Sequence, residues 1–310
     1  MTFIGTGYLR FRKDVTGLIM YDHESISANI LRWLSGNIDY FSVNFWQKDH
    51  ARSNFPWGPQ LELAQILNVV PKQLVKDYFK LELFLQLGRE LWSFPAGSNA
   101  FILLGRQAYT NLSELYEIAE FPDIWFDLPG GKEEFHISDN FGTSLERGYL
   151  KKYLNMSDYS NDFLSAIRSY LSVPQQVTLP EDTVYYLTHL IMYSTQYGRV
   201  SGERVFGRGR VYQRLLADLT SAFQTADTAG NFDLLAETGA ALCELGEHNS
   251  LTERCQTALL SQISQYGHIN AVIRSGEVMQ DSRHEFRDSY HTMIASLLFA
   301  VNYAGEKTPF

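Results

Sequence analysis

Two of the eight histidines stand in company that suits proton transfer. His189 has Tyr185 and Tyr193 one helical turn away on either side, with Asp182 about two turns below. An imidazole titrates near neutral pH, and a neighbouring hydroxyl or carboxylate fixes its tautomer. His291 lies between Tyr290 and Thr292, with Arg287 at i−4 and Asp288 at i−3. Asp288 is placed to accept a proton from the ring and raise its basicity. Each histidine has a plainer alternative: a core ring bonded to a tyrosine for His189, and a water-exposed polar first turn for His291. Meeting across one cavity, the two would make a better acid/base candidate than either alone.

Asp233 and Glu237 are carboxylates at i, i+4 on the first turns of a helix, and Glu244 continues their face. Such a pair can serve as acid and base, ligate a hard cation, or complement the helix dipole. We take Asp233 and Glu237 as substrate-binding groups. Arg199, Arg204, Arg208, Arg210 and Arg214 form the one basic cluster, with Gly207-Arg208-Gly209-Arg210 just before a helix start. Free N–H groups and guanidiniums there suit a phosphate or carboxylate, which assigns Arg208 and Arg210 to substrate binding; pairing with surface acids is the alternative. No HEXXH occurs, and the one EXXH, Glu133 to His136, falls outside any expected helix, so no metal and no cofactor are expected. Nucleophile-elbow, Walker, kinase and dinucleotide motifs are also missing from the sequence.

The elements that must position these groups read as helices. Asp22–Leu34 is the first, followed by helices started at Pro56–Pro59 and at Pro71, the latter running to Leu91, and by Asn99–Ala119. Shorter helices follow near Thr143–Leu154 and Ser160–Leu171. From Pro180 onward we expect helices at about 180–198, 209–226, 229–246, 250–267 and 285–303, broken at glycines and at the polar loop 270–283. Ile124–Leu128 and Glu133–Ile137 flank Pro129-Gly130-Gly131 and read as a β-hairpin, a candidate lid over residues 121–142. Residues 1–21 are irregular. The fold class is all-α: one domain of antiparallel helical hairpins over 1–310, arranged as an α/α toroid or, alternatively, as a layered bundle.

One helix favours a cavity. Between Glu181 and Tyr197, Val184, Leu187, Ile191 and Thr195 share an apolar face. Asp182, Tyr185, Tyr186, His189, Tyr193 and Gln196 share the other. Rings with polar tips suit a partly wet interior better than bulk solvent; a buried aromatic layer is the alternative.

A net charge of −9 argues against nucleic acid and against an anionic membrane surface as partners. No apolar run reaches the roughly 18 residues of a membrane span. Two cysteines exclude a disulfide scaffold, and the N-terminus lacks a signal-peptide pattern, so a cytoplasmic location is expected.

Three stretches carry a resemblance: Ile30-Leu31-Arg32-Trp33-Leu34 leading to Tyr40-Phe41, Leu187-Thr188-His189 continuing to Tyr193 and Tyr197-Gly198, and Tyr290-His291-Thr292. In this order they resemble an uncharacterised family of all-helical bacterial proteins often found beside natural-product biosynthetic genes. The resemblance spans about residues 20–303, implies a bacterial helical-hairpin protein, marks His189 and His291, and implies no mechanism. Two functions are therefore expected to compete. One is a metal-independent tailoring enzyme or cyclase with His189, His291, Tyr185, Tyr193 and Asp288 as catalytic groups acting on a small-molecule or peptide substrate. The other is a helical binding protein for a peptide or carrier domain. Glycoside processing by Asp233 and Glu237 is a third.

Overall fold

A computed structural model describes residues 12–13, 19–20, 23–48, 55–95, 99–118, 120–128, 131–134, 137, 143–176, 178–271 and 282–305. Arg12–Lys13 (β1) and Ile19–Met20 (β2) form a minimal antiparallel ladder, with Arg12 opposite Met20. Every other regular element among the described residues is helical. The N-terminal half holds α1 (His23–Gly36), α2 (Val43–Gln47), α3 (Gly58–Leu67), α4 (Lys72–Tyr78), α5 (Leu81–Gly88) and α6 (Ala100–Tyr116). Then come α7 (Gly131–Glu134), α8 (Ser144–Tyr153), α9 (Tyr159–Ser172), α10 (Glu181–Thr195) and α11 (Gly202–Phe206). The chain closes with α12 (Arg210–Ala229), α13 (Phe232–Leu245), α14 (Ser250–Tyr266) and α15 (Ser282–Ala304).

Local chemistry sets the ends of these helices. Asn231 and Asn249 cap α13 and α14 by accepting from backbone N–H groups in their first turns. Gly230, Gly246 and Gly267 end α12, α13 and α14 in the left-handed region, where a side chain would be strained. The helix expected from Pro71 to Leu91 is divided instead. Phe79 is extended, and the backbone N–H of Lys80 donates to Ser35 Oγ at 3.0 Å, so a contact from α1 replaces the helical ladder there.

The hairpin expected within 121–142 is not formed by its described residues. Asp123–Leu128 make turns closed by Phe126 N–H to Asp123 O and Leu128 N–H to Trp125 O, and Gly131–Glu134 is one helical turn. Asp123 Oδ1 accepts from the Trp125 N–H, and the Arg106 guanidinium reaches Asp127 and the Ile124 carbonyl, so the segment is tied to α6 by polar bonds rather than by a strand ladder. Its remaining residues, including His136, lie outside the described ones.

The buried apolar side chains form one continuous cluster from Ile26 to Val301. Its organiser is α13, which packs on α10, α12, α14 and α15. Thirteen of its fourteen residues are buried, because the helix reads Leu, Ala, Gly and Cys around its whole circumference. Gly239 lets α14 and α15 approach closely: a Cβ there would meet Cys255 Sγ at 2.7 Å and Phe299 Cδ2 at 3.1 Å. α13 is thus a buried helix in contact with α10, α12, α14 and α15, and the toroidal arrangement expected from the sequence is not established by these contacts. The remaining residue of α13, Glu237, is nearly buried, with 10% of its side-chain surface exposed. No helix is long and apolar enough to cross a membrane among the described residues.

Candidate active site

Three helices bring the site together. His189 comes from the middle of α10, Asp233 and Glu237 from the first two turns of α13, and His291 from α15. Both histidines line one cavity of about 140 Å³, whose wall also includes apolar side chains such as Leu61, Leu104, Met192, Ile294 and Leu298. Glu237 stands between the rings, its Oε2 4.0 Å from His189 Nδ1 and its Oε1 3.6 Å from His291 Nε2. Each imidazole keeps 31% of its side-chain surface accessible and Glu237 keeps 10%, so the carboxyl is the deeper group.

Asp233 and Glu237 are one turn of α13 apart and oppositely treated. Asp233 Oδ1 accepts from His291 Nδ1 at 2.9 Å and from the Thr292 hydroxyl at 2.7 Å, while Oδ2 accepts from the Tyr185 hydroxyl at 2.6 Å. Burial works against this charge, but the donors prevail and hold Asp233 down at about 2. Its partner His291 also pays a desolvation penalty, which the Asp233 bond and charge overcome, lifting the ring to about 10. Glu237 accepts from the Thr188 hydroxyl at 2.5 Å. Burial dominates and raises its pKa despite the two nearby imidazoles. The site thus holds a fixed ion pair beside a carboxyl poised to exchange its proton.

His189 Nδ1 donates to the Tyr185 carbonyl at 2.7 Å, which puts the proton on Nδ1 and leaves Nε2 as the basic nitrogen of the neutral ring. Its edge meets the face of Tyr193, with centroids 5.4 Å apart. Deeper in the cavity, Glu244 accepts from Thr195 and Asn302, both at 3.1 Å.

Asp233, Glu237 and His291 form the one group among the described residues whose ligand atoms, all within 4.8 Å of one another, have the spacing for a cation. In the structure these groups are bonded to one another and to neighbouring hydroxyls: Asp233 accepts from His291, Thr292 and Tyr185, and Glu237 accepts from Thr188.

The sequence-predicted groups sort cleanly. His189, His291, Asp233, Glu237, Tyr185 and Tyr193 converge. Asp288 does not: it is exposed, and Asp233 takes the role expected of it at His291. Three residues along a helix is about 60° of offset, enough to send Asp288 to solvent while His291 faces inward. Arg208 and Arg210 are exposed and line no part of the cavity; Arg208 pairs with Glu203 at 2.8 Å. Thr188 and Thr292, each adjacent to a histidine, are functional neighbours that the sequence reading passed over. The Thr-His and His-Thr pairs were the available signal.

Searches of curated proteins and of solved structures return no match to the chain. Residues 143–301, just over half of the chain, match the model of a domain of unknown function, DUF6895. The chain belongs to that family; His189, Asp233, Glu237 and His291 lie inside the matched segment, whereas Glu62, another carboxylate on the cavity wall, precedes it.

Proposed function

We propose that this member of the DUF6895 family is an acid–base enzyme that moves a proton on the small apolar part of an organic substrate, with Glu237 as the proton-transfer group. The observation that carries this reading is the divergence of two carboxylates four residues apart. Asp233 accepts from three donors and is held ionised, whereas Glu237 has one hydroxyl donor and a raised pKa. Environments that push two neighbouring carboxyls in opposite directions are a recurring means of assigning acid and base.

In this reading Glu237 takes a proton from the substrate or delivers one to it. The His291 imidazolium, fixed by Asp233, balances the charge that Glu237 gains when it loses its proton. His189 Nε2 is the second basic site, and the Tyr193 ring shapes the wall beside it. The cavity is close to the ~150 Å³ of a void that takes a benzene ring, which limits the reacting moiety to about that size. A tailoring enzyme or cyclase of natural-product biosynthesis, the setting of the sequence resemblance, fits such a step.

The test is an untargeted one. The protein is incubated in D₂O with a metabolite extract of its own cells, and mass spectrometry follows metabolites that gain deuterium or rearrange. Wild type is expected to alter at least one of them. Glu237→Gln, which keeps the shape of the side chain, should lower that rate about 10²–10⁴-fold while melting like wild type. Folded wild type that alters nothing, or a Glu237→Gln protein that retains the rate, overturns the proposal in favour of a binding protein.

A further inference from the structure

Beyond the acid–base cavity lies a second and larger one of about 900 Å³. Gln65, Tyr149, Tyr193 and Tyr197 line both, so only a partition of side chains separates them. Tyr149 stacks on Tyr193 with centroids 3.9 Å apart. The Tyr197 hydroxyl donates to Gln65 Oε1 at 2.8 Å and lies 3.0 Å from that of Tyr149.

The lining of the second cavity has the opposite chemistry to the first. Lys152 and Arg199 face it among the amides of Asn68, Gln107, Asn111 and Gln196, with Glu114 the single carboxylate on its wall. Lys151, next in sequence, is taken by Asp158 at 2.7 Å and Asp162 at 2.9 Å. Lys152 instead reaches the Ser194 carbonyl at 3.4 Å and lies over the rings of Tyr159 and Phe163, with no carboxylate partner among the described residues. The Arg199 guanidinium donates to the Asn68 carbonyl. Burial lowers the pKa of both cations, with Arg199 at about 10, so a buried anion beside them would be favoured.

The backbone next to the partition is unusual as well. Gln196, Tyr197 and Gly198 have φ of 55°, 57° and 76° in succession, and two of the three are not glycine. Such residues persist where the surroundings over-determine them, commonly at ligand sites. Here the turn sends Tyr197 into the partition and Gln196 and Arg199 to the second cavity.

We infer that the substrate is an amphiphilic anion, whose small apolar end enters the cavity of Glu237 and whose phosphate or carboxylate end is held by Lys152 and Arg199 in the second cavity. The sizes agree: a void of 140 Å³ accepts a short alkyl, acyl or single-ring group, and 900 Å³ accommodates a bulky polar remainder. The inference rests on the reading of the first cavity as the reaction site, yet it can be tested without turnover.

Binding of hexyl phosphate, hexanoate and hexanol is measured by ligand-observed NMR. At least one of the two anions should bind ten-fold or more tighter than hexanol, and the tighter of them identifies the head group. Lys152→Gln should remove most of that preference while hexanol binding stays unchanged. Arg199→Lys, which keeps the charge at a half-buried position, should weaken the preference less. The measurement needs no turnover, so wild type that shows this preference yet alters no metabolite would overturn the acid–base reading and leave this result standing. Equal affinity for hexanol and both anions, or a preference that survives in Lys152→Gln, overturns the inference.

Discussion

The two cavities share a tyrosine partition and differ in nearly everything else. The first draws its charges from long helices packed on a buried one: α10, α13 and α15. The second draws its cations from a half-exposed helix, α8, and from the turn after α10. Proton transfer demands atoms fixed to within a fraction of an ångström. Attraction of an anion tolerates a longer, looser arm, and lysine supplies one. On the proposed reading, the proton-transfer groups stand on the closely packed helices and the anion-binding groups on the more exposed ones.

The sharpest way to break that comparison is to remove the ion pair from the rigid side. Asp233→Asn leaves a buried imidazole facing a neutral amide and deprives Tyr185 and Thr292 of a charged acceptor. A loss of about 3–5 kcal/mol in denaturant unfolding is expected. Lys152→Gln on the looser side should change stability by about 0.5 kcal/mol or less. The pair also sets a pH window. His291 is raised from 6.5 to about 10, so its contribution is complete below pH 6.5 and fades as pH climbs toward 10. Asp233 is lowered from 3.8 to about 2, so its contribution is complete above pH 3.8 and fades as pH falls toward 2. Melting temperature against pH should show both slopes in wild type and neither in Asp233→Asn. Equal stability of the two variants would dissolve the contrast.

The rigid side was also the more legible one. The two faces of α10 can be read from spacing alone, and Val184, Leu187, Ile191 and Thr195 are buried while Tyr185, His189 and Tyr193 are half-buried. That His189 and His291 share a cavity could not be read, because their meeting depends on α10 and α15 both packing on α13. The partner of His291 was misjudged for the same reason. Asp288 is close in sequence, whereas Asp233 is 58 residues away and close only in space. A stronger clue lay in α13 itself. Acids at 233, 237 and 244 on a helix otherwise apolar all round have no solvent face to occupy, so each must have a buried purpose. The second cavity left less trace: Lys152 looks like any surface lysine, and Arg199 was grouped with Arg204, Arg208 and Arg210, which are exposed, and with Arg214, which pairs with Asp218.

A smaller perturbation tests the packing of α13 without touching its charges. Gly239→Ala would ordinarily favour a helix, but its Cβ would fall 2.7 Å from Cys255 Sγ and 3.1 Å from Phe299 Cδ2. Both neighbours are fully buried. Overpacking should cost about 1–3 kcal/mol in a thermal or chemical melt. If the substitution stabilised the protein instead, α13 would have room to shift and could not be the rigid mount assigned to it.

The smallest expected effect belongs to the looser side. Thr143 caps α8 in a reciprocal arrangement: its hydroxyl accepts from the Glu146 N–H at 3.4 Å, and its own N–H donates to Glu146 Oε2 at 2.7 Å. The helix so capped carries Tyr149 to the partition and Lys152 to the second cavity. Thr143→Ala should cost about 1 kcal/mol and speed amide hydrogen exchange in the first turns of α8. Because α8 supplies a side chain of the partition and α13 supplies none, the fraying should weaken hexyl phosphate binding slightly and leave proton transfer at Glu237 unchanged. A Thr143→Ala protein that lost both together would mean that the partition moves as one body with α13, and that the two cavities are a single rigid site.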